Sequence, residues 1–389
     1  MKIGLIDADL IDNGTRHPNL ALMKISGYMQ SQGHETELLL DYDKIREYDK
    51  VYLSRVFTFT NIPINLDEYD NLEYGGTGFF LEDAPNLPDE IEHHMPDYHL
   101  YDKFIGSEIA RGIKPLKFKD YLDYSIGFAT RGCFRKCSFC VNKKYDNVFR
   151  HSPIEEFHDP NRKYIYLWDD NFLAFGKWRE VLDELEATKK PFQFRQGLDI
   201  RLMTEEKAQR LSKMKYHGDY IFAFDNLKDR DLIEKNLKIW RKYCNKTTKL
   251  YVLSGYDSQD EKDIRSIFER IRILMRHKCL PYIMRYEDYN NSEFKGMYIN
   301  LARWCNQPSF FKKKSFREFC LANQKENSTK ECATVRYMNE FELKHPDIAK
   351  EYFDLKYEIE SQYYNKIDEV EVDKIDTSVK VDATISLTI

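Results

Sequence analysis

The chain has 389 residues, 42% of them hydrophobic, and a formal net charge of −5. That length leaves room for two or three domains with a sizeable core, and the acidic balance argues against a protein that coats nucleic acid through global charge. No apolar run approaches the roughly 20 residues that span a bilayer, and the first ten residues carry no cleavable signal pattern. A cytoplasmic protein is therefore expected. Its eight cysteines then read as reduced thiols or metal ligands rather than disulfides.

Lys2 to Asp7 is a short apolar strand ending in acids. Pro18 to Gly33 carries a helical stripe of Leu20, Leu22, Met23, Ile25, Tyr28 and Met29, with Gly33 as its stop. Glu35 to Leu40 is the next strand, and Tyr48 to Phe57 holds a third around Val51, Tyr52 and Leu53. This β-α-β-β order suggests a small doubly wound, Rossmann-like domain over residues 1–105. Glu73 to Phe79 is a glycine-rich loop that follows the polar Asn71-Leu72-Glu73 rather than a buried strand. Such loops bring backbone amides close to a ligand, and they are also ordinary turns. Residues 85–122 are mixed and Pro-punctuated, with the connector proper at 106–122. His93 and His94 lie there; adjacent side chains point apart, so a surface position is expected for them rather than a metal pair.

Arg131-Gly132-Cys133-Phe134-Arg135-Lys136-Cys137-Ser138-Phe139-Cys140 places three cysteines at the spacing C-x3-C-x2-C. Thiolates bind soft metals and are the usual ligands of iron–sulfur clusters. A cubic 4Fe-4S cluster held by three of them keeps one iron open, free to chelate the amino and carboxylate groups of a small ligand. Zinc is the competing occupant; it would need a fourth ligand from a distant Cys or His.

From Tyr124 the pattern becomes regular. Strands are expected at Tyr124–Thr130, Lys163–Trp168, Phe192–Ile200, Asp219–Phe224, Lys249–Ser254 and Leu280–Met284. Helices alternate with them over Glu205–Met214, capped by Thr204, then Asp231–Tyr243 and Asp263–Lys278. Six strand–helix units over residues 123–305 imply a parallel sheet curling into a partial (β/α)6 barrel, whose chemistry would lie at the C-terminal strand ends. Those ends carry Asp169-Asp170-Asn171, then Gln196, Asp199 and Arg201, then Asp225-Asn226, Ser254-Gly255 and Arg285-Tyr286. A helical extension is expected at 306–365 and a flexible tail at 366–389. In the extension, Phe310 and Phe311 precede Lys312-Lys313-Lys314. Aromatics beside lysines can stack bases and neutralise phosphate, although packing aromatics next to a solvated charge run are commoner. Cys279, Cys305, Cys320 and Cys332 are spaced too widely to name a second cluster.

The cysteine spacing, with the aromatic Phe139 before the last cysteine, resembles the signature of the radical S-adenosylmethionine (radical SAM) superfamily over about residues 123–305. The resemblance implies that Cys133, Cys137 and Cys140 hold three irons of a 4Fe-4S cluster. SAM on the open iron would be cleaved reductively to a 5′-deoxyadenosyl radical that takes a hydrogen from substrate. Phe139 would lie near the adenine. Trp168-Asp169-Asp170-Asn171-Phe172 resembles the Asp-Asp-Asn-Phe variant found where many members have Gly-Gly-Glu; Asp169 or Asp170 would accept from the SAM ammonium and Asn171 would donate or accept. Gln196, Asp199 and Arg201 would serve ribose and carboxylate, and a local Asp199–Arg201 ion pair is the plain alternative. Asp225 would serve SAM or substrate, Ser254 and Gly255 the adenine, and Arg285 and Tyr286 the substrate. A reduced flavodoxin or ferredoxin would supply the electron. Residues 1–105 resemble the cobalamin-binding-like domain of cobalamin-type members but lack an Asp-x-His-x-x-Gly ligand motif, so a domain without cobalamin is expected. The substrate is open, a nucleic acid or nucleotide being one candidate. The competing class is a non-catalytic zinc or iron–sulfur binding interaction or regulatory protein.

Overall fold

The computed structural model describes residues 1–363 apart from Arg16, Glu326 and Asn327; the tail expected at 366–389 lies outside the described residues. The chain divides into two compact units, 1–198 with 213–218, and 199–212 with 219 onward.

The first unit begins with β1 (Lys2–Asp7), α1 (Ala8–Asn13), α2 (Leu20–Ser31), β2 (Glu35–Leu39), β3 (Lys50–Ser54) and β4 (Leu72–Gly75). The strands form one parallel sheet in the order β2-β1-β3-β4. Alternation sends Leu5 to one face, against Leu22, Met23 and Ile25 of α2, and Ile6 to the other, with Ile45, Val51 and Leu53. The glycine-rich stretch begins within β4, a strand with no buried residue. β4 is a half-exposed edge, so its polar residues concealed it from an apolar-run criterion. Residues 85–122 are not a loose connector either: Tyr98, Leu100, Tyr101 and Ile105 are buried in the core beside α2.

The strand order reverses between β1 and β3, the switch point at which doubly wound sheets usually take ligands. Here the chain's own polar groups bridge it. Tyr101 Oη donates to Asp7 Oδ2 at 2.8 Å and accepts from Asn19 N at 2.9 Å, and Asn19 Nδ2 donates to Ser54 Oγ at 2.8 Å.

The same unit continues with β5 (Tyr124–Gly127), β6 (Thr130–Arg131), β7 (Phe149–Arg150), β8 (Tyr164–Leu167) and β9 (Phe192–Phe194). β5, β8 and β9 form a parallel sheet in that order, and β6 pairs antiparallel with β7. Tyr124 stacks on Tyr166 with centroids 3.5 Å apart, and Leu20 of α2 packs on this layer. The strand expected over 124–130 is broken because the amides of Ala129 and Thr130 bond a carboxylate instead of a neighbouring strand. The strand expected over 192–200 stops at Phe194, ahead of Gly197 in the left-handed region at φ 89°.

The second unit has a parallel sheet of β10 (Tyr220–Ala223), β11 (Thr248–Ser254) and β12 (Leu280–Arg285) in that order. The intervening helices Arg230–Tyr243 and Glu261–Arg276 bury the stripes read from the sequence, including Ile233, Leu237 and Trp240 on one and Ile264, Ile267 and Phe268 on the other. The wholly buried Arg270 ties two strand ends together: its Nη1 donates to the carbonyls of Phe224 (3.1 Å), Asp225 (2.9 Å) and Leu253 (2.8 Å). Helices then follow, among them Lys295–Cys305, Phe316–Leu321, Ala333–Lys344 and Pro346–Tyr352. Phe311 and Phe316 are core here, both against Trp304. Of the aromatics that suggested base stacking, Phe310 alone is exposed, at 39%. The fold is thus mixed α/β with parallel sheets, and no described helix is long and apolar enough to cross a membrane.

Candidate iron–sulfur site

The acid pair at the end of β8 holds the entrance of the cysteine loop. Asp169 Oδ1 accepts from Ala129 N at 3.0 Å, and its Oδ2 accepts from Thr130 N at 2.8 Å and Thr130 Oγ1 at 2.5 Å. Asp170 Oδ2 accepts from Gly132 N at 2.7 Å and lies 3.5 Å from Arg131 Nε. Gly132 has φ 92°, and a Cβ there would lie 2.1 Å from the Asn147 carbonyl oxygen, so the position admits glycine alone. Past it the loop turns through Lys136, also left-handed at φ 47°, and closes with Cys140 N donating to Cys137 O at 3.0 Å.

Cys133, Cys137 and Cys140 are all partly exposed on this loop. N–H groups point at the sulfurs of Cys133 and Cys140. Arg135 N donates to Cys133 Sγ at 3.5 Å, Asn171 Nδ2 to the same sulfur at 3.3 Å, and Asn142 N to Cys140 Sγ at 3.4 Å. Such donors tune a bound iron–sulfur cluster. Asn171 is 4% exposed, and its Oδ1 is buried without a hydrogen-bond partner, an orphaned acceptor on the side chain that touches Cys133. Among the described residues no three His, Cys, Asp or Glu side chains are gathered about one metal ion. A 4Fe-4S cluster takes each thiolate on a different iron, and three thiolates with amide donors fit that group. Asn171→Leu keeps the branched outline and removes both polar atoms; it is expected to lower iron retention or activity by about 10–100-fold. Wild-type iron content and activity in that variant would leave Asn171 a packing residue.

Asp169 is buried, and its pKa is pushed up to about 7 from an ordinary 3.8; burial raises it, and the three donors pull the other way. The sign follows directly. The folded state holds a proton that the unfolded chain has released, so this group's contribution to stability is full below pH 3.8 and is lost as pH rises towards 7. Asp169→Asn lacks that dependence. Denaturation midpoints measured from pH 4 to 8 should therefore show the gap between wild type and variant narrowing as pH rises, by up to about one proton in slope. A constant gap would mean that the carboxyl titrates normally.

The other residues singled out from the sequence are placed as follows. Phe139 is partly exposed on the loop, and Gln196 is exposed. In the second unit Arg201 is held by Asp199 (Nε–Oδ1 2.7 Å) and Asp229 (Nη1–Oδ2 2.8 Å), the local ion pair considered above. Asp225 has its pKa raised by burial to about 6 against the pull of Arg270 and Arg201. Ser254 is buried and donates to Met284 O at 3.2 Å. The space beside Gly255 is filled by Tyr289, whose Cβ lies 2.8 Å from where a Gly255 Cβ would sit. Arg285 is exposed, donating to Tyr289 Oη at 2.9 Å, and Tyr286 packs edge-on to Tyr256. Cys279, Cys305 and Cys320 are buried, and burial raises each thiol pKa, that of Cys320 to about 12.

Sequence reasoning missed a polar network in the first unit. His93 is not a bare surface residue: it stacks on His151 with centroids 5.2 Å apart and bonds Glu156 at 2.8 Å. His151 in turn lies 3.2 Å from Glu92, which pairs with Lys24 at 2.8 Å. The residues come from four separate segments, so no local spacing could have revealed them.

No family model and no curated protein matches the chain. Among solved structures it is similar to the radical SAM methyltransferase TsrM from Kitasatospora setae, solved with cobalamin and a [4Fe-4S] cluster, at 12% identity and TM-score 0.48 over 73% of this chain and 74% of that one. It is similar to the cobalamin-dependent SAM radical enzyme OxsB, solved with aqua-cobalamin, at 11% identity and TM-score 0.36 over 96% and 61%. SuiB of Streptococcus suis, solved with SAM, matches at 11% identity and TM-score 0.30 over 56% and 62%. These structural neighbours are SAM-binding proteins, cobalamin-bound ones among them.

Proposed function

We propose that the chain is a radical SAM enzyme whose Cys133, Cys137 and Cys140 hold a 4Fe-4S cluster. The observation that carries this is the loop itself: three thiols at C-x3-C-x2-C spacing, with amide donors aimed at two of the sulfurs and an orphaned acceptor beside one. When bound and reduced, such a cluster supplies the electron that cleaves SAM to methionine and a 5′-deoxyadenosyl radical. The protein's part is to hold and orient. Asp169 and Asp170 fix the loop entrance through four backbone or hydroxyl donors. Gly132 lets the chain turn where a side chain would strike Asn147.

The acceptor role expected of Asp169 or Asp170 passes, in this proposal, to Asn171. Both oxygens of Asp169 are engaged by the loop, whereas Asn171 Oδ1 has no hydrogen-bond partner. A reduced flavodoxin or ferredoxin is the proposed electron source. Cobalamin stays open as a second cofactor of the first domain: TsrM and OxsB were solved with it, and the expectation of a cobalamin-free domain has no support. A nucleic-acid substrate now rests on Lys312, Lys313, Lys314 and Phe310, since Phe311 and Phe316 face the core.

Anaerobic reconstitution, followed by iron and acid-labile sulfide analysis and an assay for 5′-deoxyadenosine, tests the reading. Iron and sulfide in near-equal amounts, with dithionite-dependent 5′-deoxyadenosine, are expected. Zinc without sulfide would overturn it in favour of a structural metal module.

A further inference from the structure

We propose that the first unit carries a binding site for a small amphipathic anion, beside the cysteine loop and independent of any cluster there. The site is a cavity of about 370 Å³, within the range of small-molecule pockets. Leu20, Leu81, Leu87, Phe128 and Val141 give it apolar walls, and Gly76 and Thr77 of the glycine-rich loop border it.

Three cations line the cavity against two carboxylates. Lys24, its side chain only 5% exposed, pairs with Glu92, and Glu92 is shared with His151. Arg131 lies over the Phe128 ring at 4.1 Å from its centroid. Its Nε is buried and makes no hydrogen bond, and Asp170, 3.5 Å away, already accepts from Gly132 N. Lys144 donates to Ala84 O at 3.2 Å and Asn86 Oδ1 at 2.9 Å, both neutral. The cations also act on one another. Burial lowers the Lys24 pKa, and the charge of Arg131 lowers it further against the pull of Glu92. An anionic head group relieves that repulsion and supplies the acceptor that Arg131 Nε lacks. The apolar walls then take the body of the same molecule.

The carboxylate and phosphate versions of this chemistry are separated by using 2-naphthoate and 2-naphthyl phosphate as probes, with neutral 2-naphthamide as control. Calorimetric titration of the full chain, without SAM or reductant, is expected to show at least one anion binding about tenfold or more tighter than the amide. Lys144→Gln and Arg131→Gln should each weaken the anion without affecting the amide. Ala21→Trp, which fills the cavity from α2, should abolish binding while circular dichroism and melting temperature stay those of wild type. Equal affinity for amide and anions, binding that survives Ala21→Trp, or no binding of any probe would overturn the proposal. So would hydroxocobalamin that competes with the anion and is blocked by Ala21→Trp, which would make the cavity part of a corrin site. None of these readouts uses the cluster, so a failed cluster assignment leaves them interpretable.

Discussion

Replacing Cys133 by alanine is expected to drop iron content and SAM cleavage to background while leaving the secondary structure intact. Its sulfur receives N–H donors from Arg135 N and Asn171 Nδ2. Removing it leaves two cysteines, too few to hold three irons of a cluster. The side chain is partly exposed and contributes little to the core, so the fold has no comparable reason to fail. Iron, sulfide and 5′-deoxyadenosine measured on the anaerobically prepared variant check this, with circular dichroism as the control for folding. A variant that still cleaved SAM at the wild-type rate would exclude Cys133 as a ligand.

The second large effect is expected at Asp169. Alanine there strips the acceptor from Ala129 N, Thr130 N and Thr130 Oγ1 at once. Ala129 and Thr130 are both wholly buried, so water cannot readily replace the carboxylate. Each stranded buried donor costs about 1–3 kcal/mol, and a loss of about 3 kcal/mol or more is anticipated. Because those donors sit at the entrance of the cysteine loop, the loop should loosen before the rest of the unit. Hydrogen exchange at residues 129–140 should rise, and iron retention should fall alongside the denaturation midpoint. An Asp169→Ala protein with the wild-type midpoint and unchanged exchange over that segment would show that the β5–β8 layer positions the loop without the carboxylate.

The parts legible in the sequence were those with a strong local pattern. The stripe Leu20, Leu22, Met23 and Ile25 gave α2, and Ile264, Ile267, Phe268 and Ile271 gave the helix before β12. The cysteine spacing gave the loop. What escaped depends on partners distant in the chain. β4 looks polar because it is an edge strand. The hold of Asp169 on the loop entrance was not legible either, because its partners lie 39 and 40 positions earlier. Gly255 read as a place for a base to approach, yet Tyr289 occupies that space. Lys24, Glu92 and Arg131 carry no shared motif, and the tertiary fold alone lines one cavity with them.

The most direct measurement is electron paramagnetic resonance of the reconstituted, dithionite-reduced protein with and without SAM. A reduced-cluster signal whose g-values shift when SAM is added is the predicted result, since it requires an iron open to the ligand. A cluster signal indifferent to SAM, or no cluster signal after reconstitution, would contradict the assignment of Cys133, Cys137 and Cys140 as three ligands of a SAM-binding cluster.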